Sequence, residues 1–233
     1  TYLRHVDQPA AVRLGEGQAL AFSSDGRFVL SVIYGPPSRL LLLPTGAGQA
    51  VELPNPDGLT ISVASLLPDD KRVALVASKG TAPLKGYIQN IADGSVRAFT
   101  GEGVNTSAFS TLPITPDSST AWLIDRDGQS ALFPLDGGAP RPFRGVTATD
   151  KLVAWSADGR QVYVSAPSNA IRRIYRVDLG TGTRTLWKEV VPTQPAGVRL
   201  SEVSMTPDAR TTLHSYSQLL ANLYIVSGVV AAR

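Results

Sequence analysis

Ala19-Leu20-Ala21-Phe22-Ser23-Ser24-Asp25-Gly26-Arg27-Phe28-Val29-Leu30 sets two apolar runs on either side of a polar turn. Short apolar runs around an Asp-Gly pair read as a β-hairpin, because these residues accept the backbone angles of a tight reversal. The pattern returns at Ser65 to Asp70 before Val73-Ala74-Leu75-Val76, and at Leu112 to Ser118 before Ala121-Trp122-Leu123-Ile124. It returns again at Val153 to Gly159 before Val162-Tyr163-Val164, and at Val203 to Ala209 before Thr212-Leu213-His214. The turn aspartates Asp25, Asp69, Asp117, Asp158 and Asp208 lie 44, 48, 41 and 50 residues apart, close to the period of propeller blades.

Within each repeat a second, Gly-containing turn follows: Pro44 to Gly48, Ala92 to Ser95, Leu135 to Gly138 and Asp178 to Gly182. Between the two turns lie paired strands: Phe28 to Tyr34 with Arg39 to Leu43, Val73 to Ser78 with Gly86 to Ile91, Thr120 to Ile124 with Ser130 to Leu135, and Gln161 to Ser165 with Ile171 to Val177. A short outer strand follows, at Ala50 to Leu53, Val96 to Thr100, Pro140 to Phe143 and Arg184 to Trp187. The unit is therefore an inner strand, an Asp turn, two further strands around a variable loop, and an outer strand.

The expected fold is all-β: one β-propeller domain over residues 1–233, of four-stranded meander blades in about five repeats. The blades fall at about 15–53, 54–100, 101–144, 145–190 and 191–233, with strands of a closing or partial blade at 1–14. Tyr2 to Val6 fits a third strand and Ala11 to Leu14 an outer one, while Thr211 to Tyr216 and Asn222 to Val226 continue the last blade. Two arrangements follow. Ala11 to Leu14 completes the last blade and closes a five-bladed ring, or the sequence is part of a larger ring of six to eight blades with a half blade at each end. Helix periodicity is poor throughout; a short turn at Ser217 to Ala221 is the one exception.

The composition narrows the chemistry. The 233 residues contain no Cys, which excludes disulfides, thiol catalysis and zinc-thiolate sites. No segment approaches the roughly 18 to 20 unbroken apolar residues of a membrane helix. A net charge of +3, without a basic run, gives no case for nucleic acid. Both ends have the look of a piece of a longer protein.

Phe22-Ser23-Ser24-Asp25-Gly26-Arg27 and Trp155-Ser156-Ala157-Asp158-Gly159-Arg160 resemble the aromatic-Ser-Pro-Asp-Gly-basic core of the WD40-like repeats of TolB-type propellers. Pro68-Asp69, Pro116-Asp117 and Pro207-Asp208 keep the Pro-Asp half and lose the Gly. Ala11 to Leu20, Leu42 to Gly48 and the stretch His214 to Val226 are similar to the C-terminal propeller of bacterial eukaryotic-like serine/threonine kinases. That resemblance implies a parent with a cytoplasmic kinase domain, a membrane span and an extracytoplasmic sensor propeller. The sequence itself has no His-Arg-Asp, no Asp-Phe-Gly and no Gly-rich nucleotide loop, so no kinase activity is assigned to any residue.

Other catalytic signatures are equally sparse. No Gly-x-Ser-x-Gly occurs, and the two histidines, His5 and His214, have no triad context. Neither a metal site nor a cofactor is expected. Asp125-Arg126-Asp127-Gly128 lacks the later ligands of a calcium loop and reads as a hairpin turn. The five turn aspartates recur at one place in every unit, so they read as structural caps of their own turns rather than a carboxylate ring. Trp122, Trp155 and Trp187 read as packing between blades.

Recognition is therefore expected at the loops between second and third strands, which carry Arg39, Lys79, Lys85, Arg126, Arg172 and Arg173 to one rim. A basic rim attracts a small anionic ligand or an acidic protein surface. The expected function is a non-catalytic sensor or recognition module whose partner is a protein or small ligand. The chain itself is not expected to touch nucleic acid or membrane. The alternatives are a periplasmic scaffold of the TolB type and the accessory propeller of a hydrolase.

Overall fold

A computed structural model of the protein describes residues 1–5, 7–106, 111–166, 171–192 and 197–218. All secondary structure among these residues is antiparallel sheet, with no helix. A two-stranded sheet holds β1 (Tyr2–Arg4) and β2 (Ala11–Arg13). Blade 1 is β3 (Gln18–Phe22), β4 (Phe28–Ile33), β5 (Arg39–Pro44) and β6 (Val51–Leu53). Blade 2 is β7 (Leu59–Leu66), β8 (Arg72–Lys79), β9 (Lys85–Asn90) and β10 (Val96–Glu102). Blade 3 has three strands, β11 (Thr120–Ile124), β12 (Ser130–Pro134) and β13 (Arg141–Pro142). Blade 4 is β14 (Lys151–Trp155), β15 (Gln161–Ser165), β16 (Arg172–Asp178) and β17 (Arg184–Val190), and β18 (Val198–Met205) with β19 (Thr212–Gln218) begins a fifth. Each sheet runs in sequence order, so this is the β-propeller arrangement of meander blades that the repeats require.

The second strands explain how consecutive blades seal. Val73, Ala74, Leu75, Val76 and Ala77 of β8 are all fully buried. Because strand side chains alternate faces, Val73, Leu75 and Ala77 join Leu30, Val32 and Leu40 of blade 1, whereas Ala74 and Val76 join Leu123, Ala131 and Phe133 of blade 3. In β11, Ala121 and Leu123 face blade 2, and Trp122 packs with Val162 and Val164 of blade 4. Tyr163 then turns toward Leu200 and Val203 of β18. Each core cluster is thus shared between two neighbouring blades.

Inner strands carry a register shift opposite the second strand, between Ala19 and Ala21, Ile61 and Val63, Leu152 and Ala154, and Leu200 and Val203. In blade 3, among the described residues, the second strand is met on this side only by isolated bridges, Asn105 with Ile124 and Ile114 with Ala121.

Tyr2–Arg4 pairs with Ala11–Arg13, in register Tyr2 with Arg13, and among the described residues β18 and β19 pair only with each other. Two expectations about blade 3 need correction. Leu112 to Thr115 does not form a continuous inner strand, and the outer strand expected over Pro140 to Phe143 shrinks to Arg141–Pro142. Pro113, Pro116, Pro140 and Pro142 remove ladder donors at both places. Ser217 and Gln218 belong to β19, whereas the expected strand Asn222 to Val226 lies outside the described residues.

Candidate loop-end recognition surface

The turns at the two ends of the blades differ in kind. At one end every Asp turn has the same wiring: the first carboxylate oxygen accepts the backbone N–H two residues on, from Arg27, Lys71, Ser119, Arg160 and Arg210 to Asp25, Asp69, Asp117, Asp158 and Asp208. Ser23, Thr115, Ser156 and Thr206 donate their hydroxyls to four of these carboxylates at 2.5–2.7 Å. All five carboxyls are held below the usual range. For Asp25 the Arg27 N–H is the main cause, and for Asp117, Asp158 and Asp208 it is the hydroxyl bond. At Asp69 partial burial pushes upward, but the Lys71 N–H and the Arg72 guanidinium outweigh it.

The residue after each aspartate adopts positive φ whether or not it is glycine: 70° at Gly26, 51° at Asp70, 57° at Ser118, 66° at Gly159 and 58° at Ala209. The turn geometry therefore survives the loss of the Gly. Asp70 gains a use for its side chain, since its carboxylate accepts the N–H and hydroxyl of Ser24 and ties blade 2 to blade 1.

The opposite end holds the connections between second and third strands, and there the six cations lie. Arg39 forms a fork with Glu52 at 2.7–3.1 Å, which raises the guanidinium pKa and lowers that of the carboxyl. Lys79 pairs with Asp57 at 3.3 Å, Lys85 with Glu102 at 3.5 Å and Arg173 with Glu189 at 2.8 Å. Arg173 is likewise shifted upward by its hydrogen bond to Glu189. Four of the six cations at this end are therefore balanced pair by pair, between strands of one blade or with the connection entering it.

Arg172 differs from the rest. It is buried, and its guanidinium donates to the carbonyls of Leu200 at 2.6 Å and Ser201 at 3.1 Å, in the shifted stretch of β18. A bulge leaves carbonyls without ladder partners, and this arginine supplies donors to them across the blade boundary. Four residues of its loop, 167–170, lie outside the described residues. Arg126 makes no ion pair among the described residues. It is exposed at the tip of a turn in which Asp125 accepts the N–H groups of Asp127 and Gln129 and Gly128 takes φ of 78°.

Beside Arg126 opens a groove of about 680 Å³ between β10 and blade 3. Phe99, Val104 and Phe133 give it an apolar lining, Gly137 to Pro140 form the far wall, and Glu102, Asp125, Arg126 and Asp127 line its loop end. No residue spacing announced this groove, because its walls come from two repeats and exist only once the blades pack. Of the histidines, His5 is exposed after β1 and His214 lies in β19. Among the described residues no cluster of His, Asp or Glu is arranged to hold a metal. Trp122 is fully buried, with Nε1 donating to Ser130 Oγ at 3.2 Å; Trp155 stacks on Phe143 and Trp187 meets Tyr163 edge-on.

No protein-family model matches the sequence, and no curated protein matches it. Solved structures do match the fold. TolB from Acinetobacter baumannii superposes with a TM-score of 0.61 at 17% identity, over 86% of this chain and 54% of that one. A TolB-type protein from Agrobacterium tumefaciens gives 0.58 at 14% identity, over 86% and 69%. A Bacteroides thetaiotaomicron protein of unknown function gives 0.64 at 12% identity, over 91% and 60%. The blades are thus arranged as in TolB-like β-propellers, and the chain spans about half the length of the Acinetobacter TolB.

Proposed function

We propose that the chain is a non-catalytic recognition module: a propeller segment that presents its loop end to a protein partner, with any chemistry carried by another part of a longer protein. The observation that supports this best is the loop end itself. Four of its six cations are matched with acids in separate pairs, a mixed-charge surface suited to a protein partner rather than a convergent clamp for a small anion. The TolB likeness is compatible with a protein-interaction scaffold.

The finer reading, supported by the resemblance of Ala11 to Leu20 and of Leu42 to Gly48 to kinase-attached propellers, is an extracytoplasmic sensor on a membrane-bound serine/threonine kinase. The neighbouring reading is a periplasmic scaffold. A kinase catalytic domain in the same open reading frame favours the sensor, and its absence removes it.

The test is positional. Photo-crosslinking residues placed singly at Lys79, Arg126 and Arg173, and at Gly46 and Asp93 on the opposite end, are expected to trap a partner from the loop end and not from the turn end. Crosslinks confined to Gly46 and Asp93 would contradict the proposal.

A further inference from the structure

Each Gly turn joins the third strand of a blade to its outer strand, and in blades 2, 3 and 4 a carboxylate caps it from within. Asp93 accepts the Ser95 N–H at 2.9 Å, Asp136 that of Gly138 at 2.9 Å, and Asp178 those of Gly180 and Thr181 at 3.0 and 2.8 Å. The turn of blade 1, Pro44-Thr45-Gly46-Ala47-Gly48-Gln49, contains no acid. Its one hydroxyl, on Thr45, donates to the Gly26 carbonyl at 2.9 Å. Among the described residues nothing accepts the N–H groups of Gly46, Ala47, Gly48 and Gln49.

Blade 3 shows what this turn lacks. Both turns follow a proline, and the next residue donates its N–H to a carbonyl just before the second strand, Leu135 to Ser119 at 2.8 Å and Thr45 to Arg27 at 2.9 Å. Counted from that shared bond, Gly46 stands in the place of Asp136 and Gly48 in the place of Gly138. The amide that blade 3 gives to a carboxylate is therefore left open in blade 1. Where blade 3 has Ser119, blade 1 has a cation. Arg27 is exposed and makes no ion pair among the described residues, and the Asp25 carboxylate is engaged by the Arg27 N–H and the Ser23 hydroxyl.

Arg27 and the turn line a cavity of about 390 Å³ whose apolar wall is Phe28, Pro44 and Val51, with Val51 52% exposed. Small-ligand sites combine such walls with a few placed polar groups.

We propose that this cavity binds a small organic anion, a carboxylate carried on an apolar ring or chain. The carboxylate accepts the Gly48 N–H as Asp136 accepts that of Gly138, Arg27 is its counterion, and the apolar body rests on Phe28, Pro44 and Val51. The site lies at the turn end and is independent of the protein partner proposed for the loop end.

Benzoate is the probe and benzamide its uncharged isostere. In amide proton–nitrogen spectra of the labelled protein, benzoate is expected to shift Ala47, Gly48 and Gln49, and benzamide at the same concentration to shift them at least fivefold less. Gly46→Asp supplies the missing cap from within, at a residue whose φ is not left-handed and where an added Cβ meets nothing within 4 Å. It is expected to weaken benzoate binding at least tenfold, with Tm kept or raised. Arg27→Gln leaves the turn untouched and is expected to weaken binding at least threefold. Shifts centred elsewhere, benzamide acting as well as benzoate, or either variant binding benzoate as the parent does would overturn the site. An absence of shifts at about 10 mM benzoate also overturns it. None of these outcomes bears on the loop-end reading, which the crosslinking map decides.

Discussion

Blades 2 and 3 share an Asp turn and a second strand of the same apolar kind, yet among the described residues the sheet of one has four strands and that of the other three. Their second strands are equally sealed: Val73 to Ala77 in β8 and Ala121 to Leu123 in β11 are all fully buried. The difference lies on either side. Blade 2 bulges at its inner strand between Ile61 and Val63, whereas among the described residues the second strand of blade 3 is met on that side only by isolated bridges from Asn105 and Ile114. Blade 2 ends in a seven-residue outer strand and blade 3 in a two-residue one. The turn and second strand are thus the part of a blade that packing on both faces holds fixed, and the inner and outer strands absorb variation. The candidate groove sits at this mismatch.

The strongest way to break this comparison is to hollow each second strand. Trp122→Ala is expected to cost about 3–5 kcal/mol and Leu75→Ala about 2–5 kcal/mol, measured by denaturant unfolding. A loss under about 1 kcal/mol at Trp122 would mean that blade 3 is not sealed as blade 2 is. Next comes the connection between blades 3 and 4. Asp150 is buried and receives both terminal nitrogens of Arg184, at 2.5 and 2.9 Å, with the Thr147 N–H completing its shell. Arg184→Met leaves that carboxylate without its counterion, at an expected cost of about 3 kcal/mol.

A smaller effect of opposite sign is expected at the turns. An L-residue in the left-handed region costs about 1–2 kcal/mol, of which glycine returns part as unfolded-chain entropy. Ala209→Gly should therefore stabilise by about 0.5–1 kcal/mol in the same unfolding assay. Asp70→Gly should not, since it also removes the bond to Ser24. The smallest effect concerns pH. The turn carboxyls are depressed in the fold, so their stabilisation is present above the unfolded value near pH 4 and is lost as pH falls through the lower folded values. Asp117→Asn should flatten the fall of Tm below about pH 4, and an unchanged acid limb would contradict the capping role.

Much of the fold was legible because it is local. The Asp turn, the second strand after it and the Gly turn each lie within a dozen residues, so side-chain pattern and turn chemistry determine them together. The bulges were not, since one extra residue such as Ser62 interrupts an alternation without altering its composition. The loop-end cations were legible as a set, but not their pairing. Arg39 finds Glu52 across a hairpin, and Arg172 finds Leu200 and Ser201 across a blade boundary. The groove depends on how two repeats meet, which neither repeat encodes alone.

The most direct test is hydrogen exchange resolved to short peptides on the native protein. The account predicts the slowest exchange in 73–77 and 120–124, and far faster exchange in 96–102 and 139–142, the outer strands that absorb variation. Protection of 96–102 equal to that of 73–77 would contradict it, because the outer strand would then be held as firmly as the second.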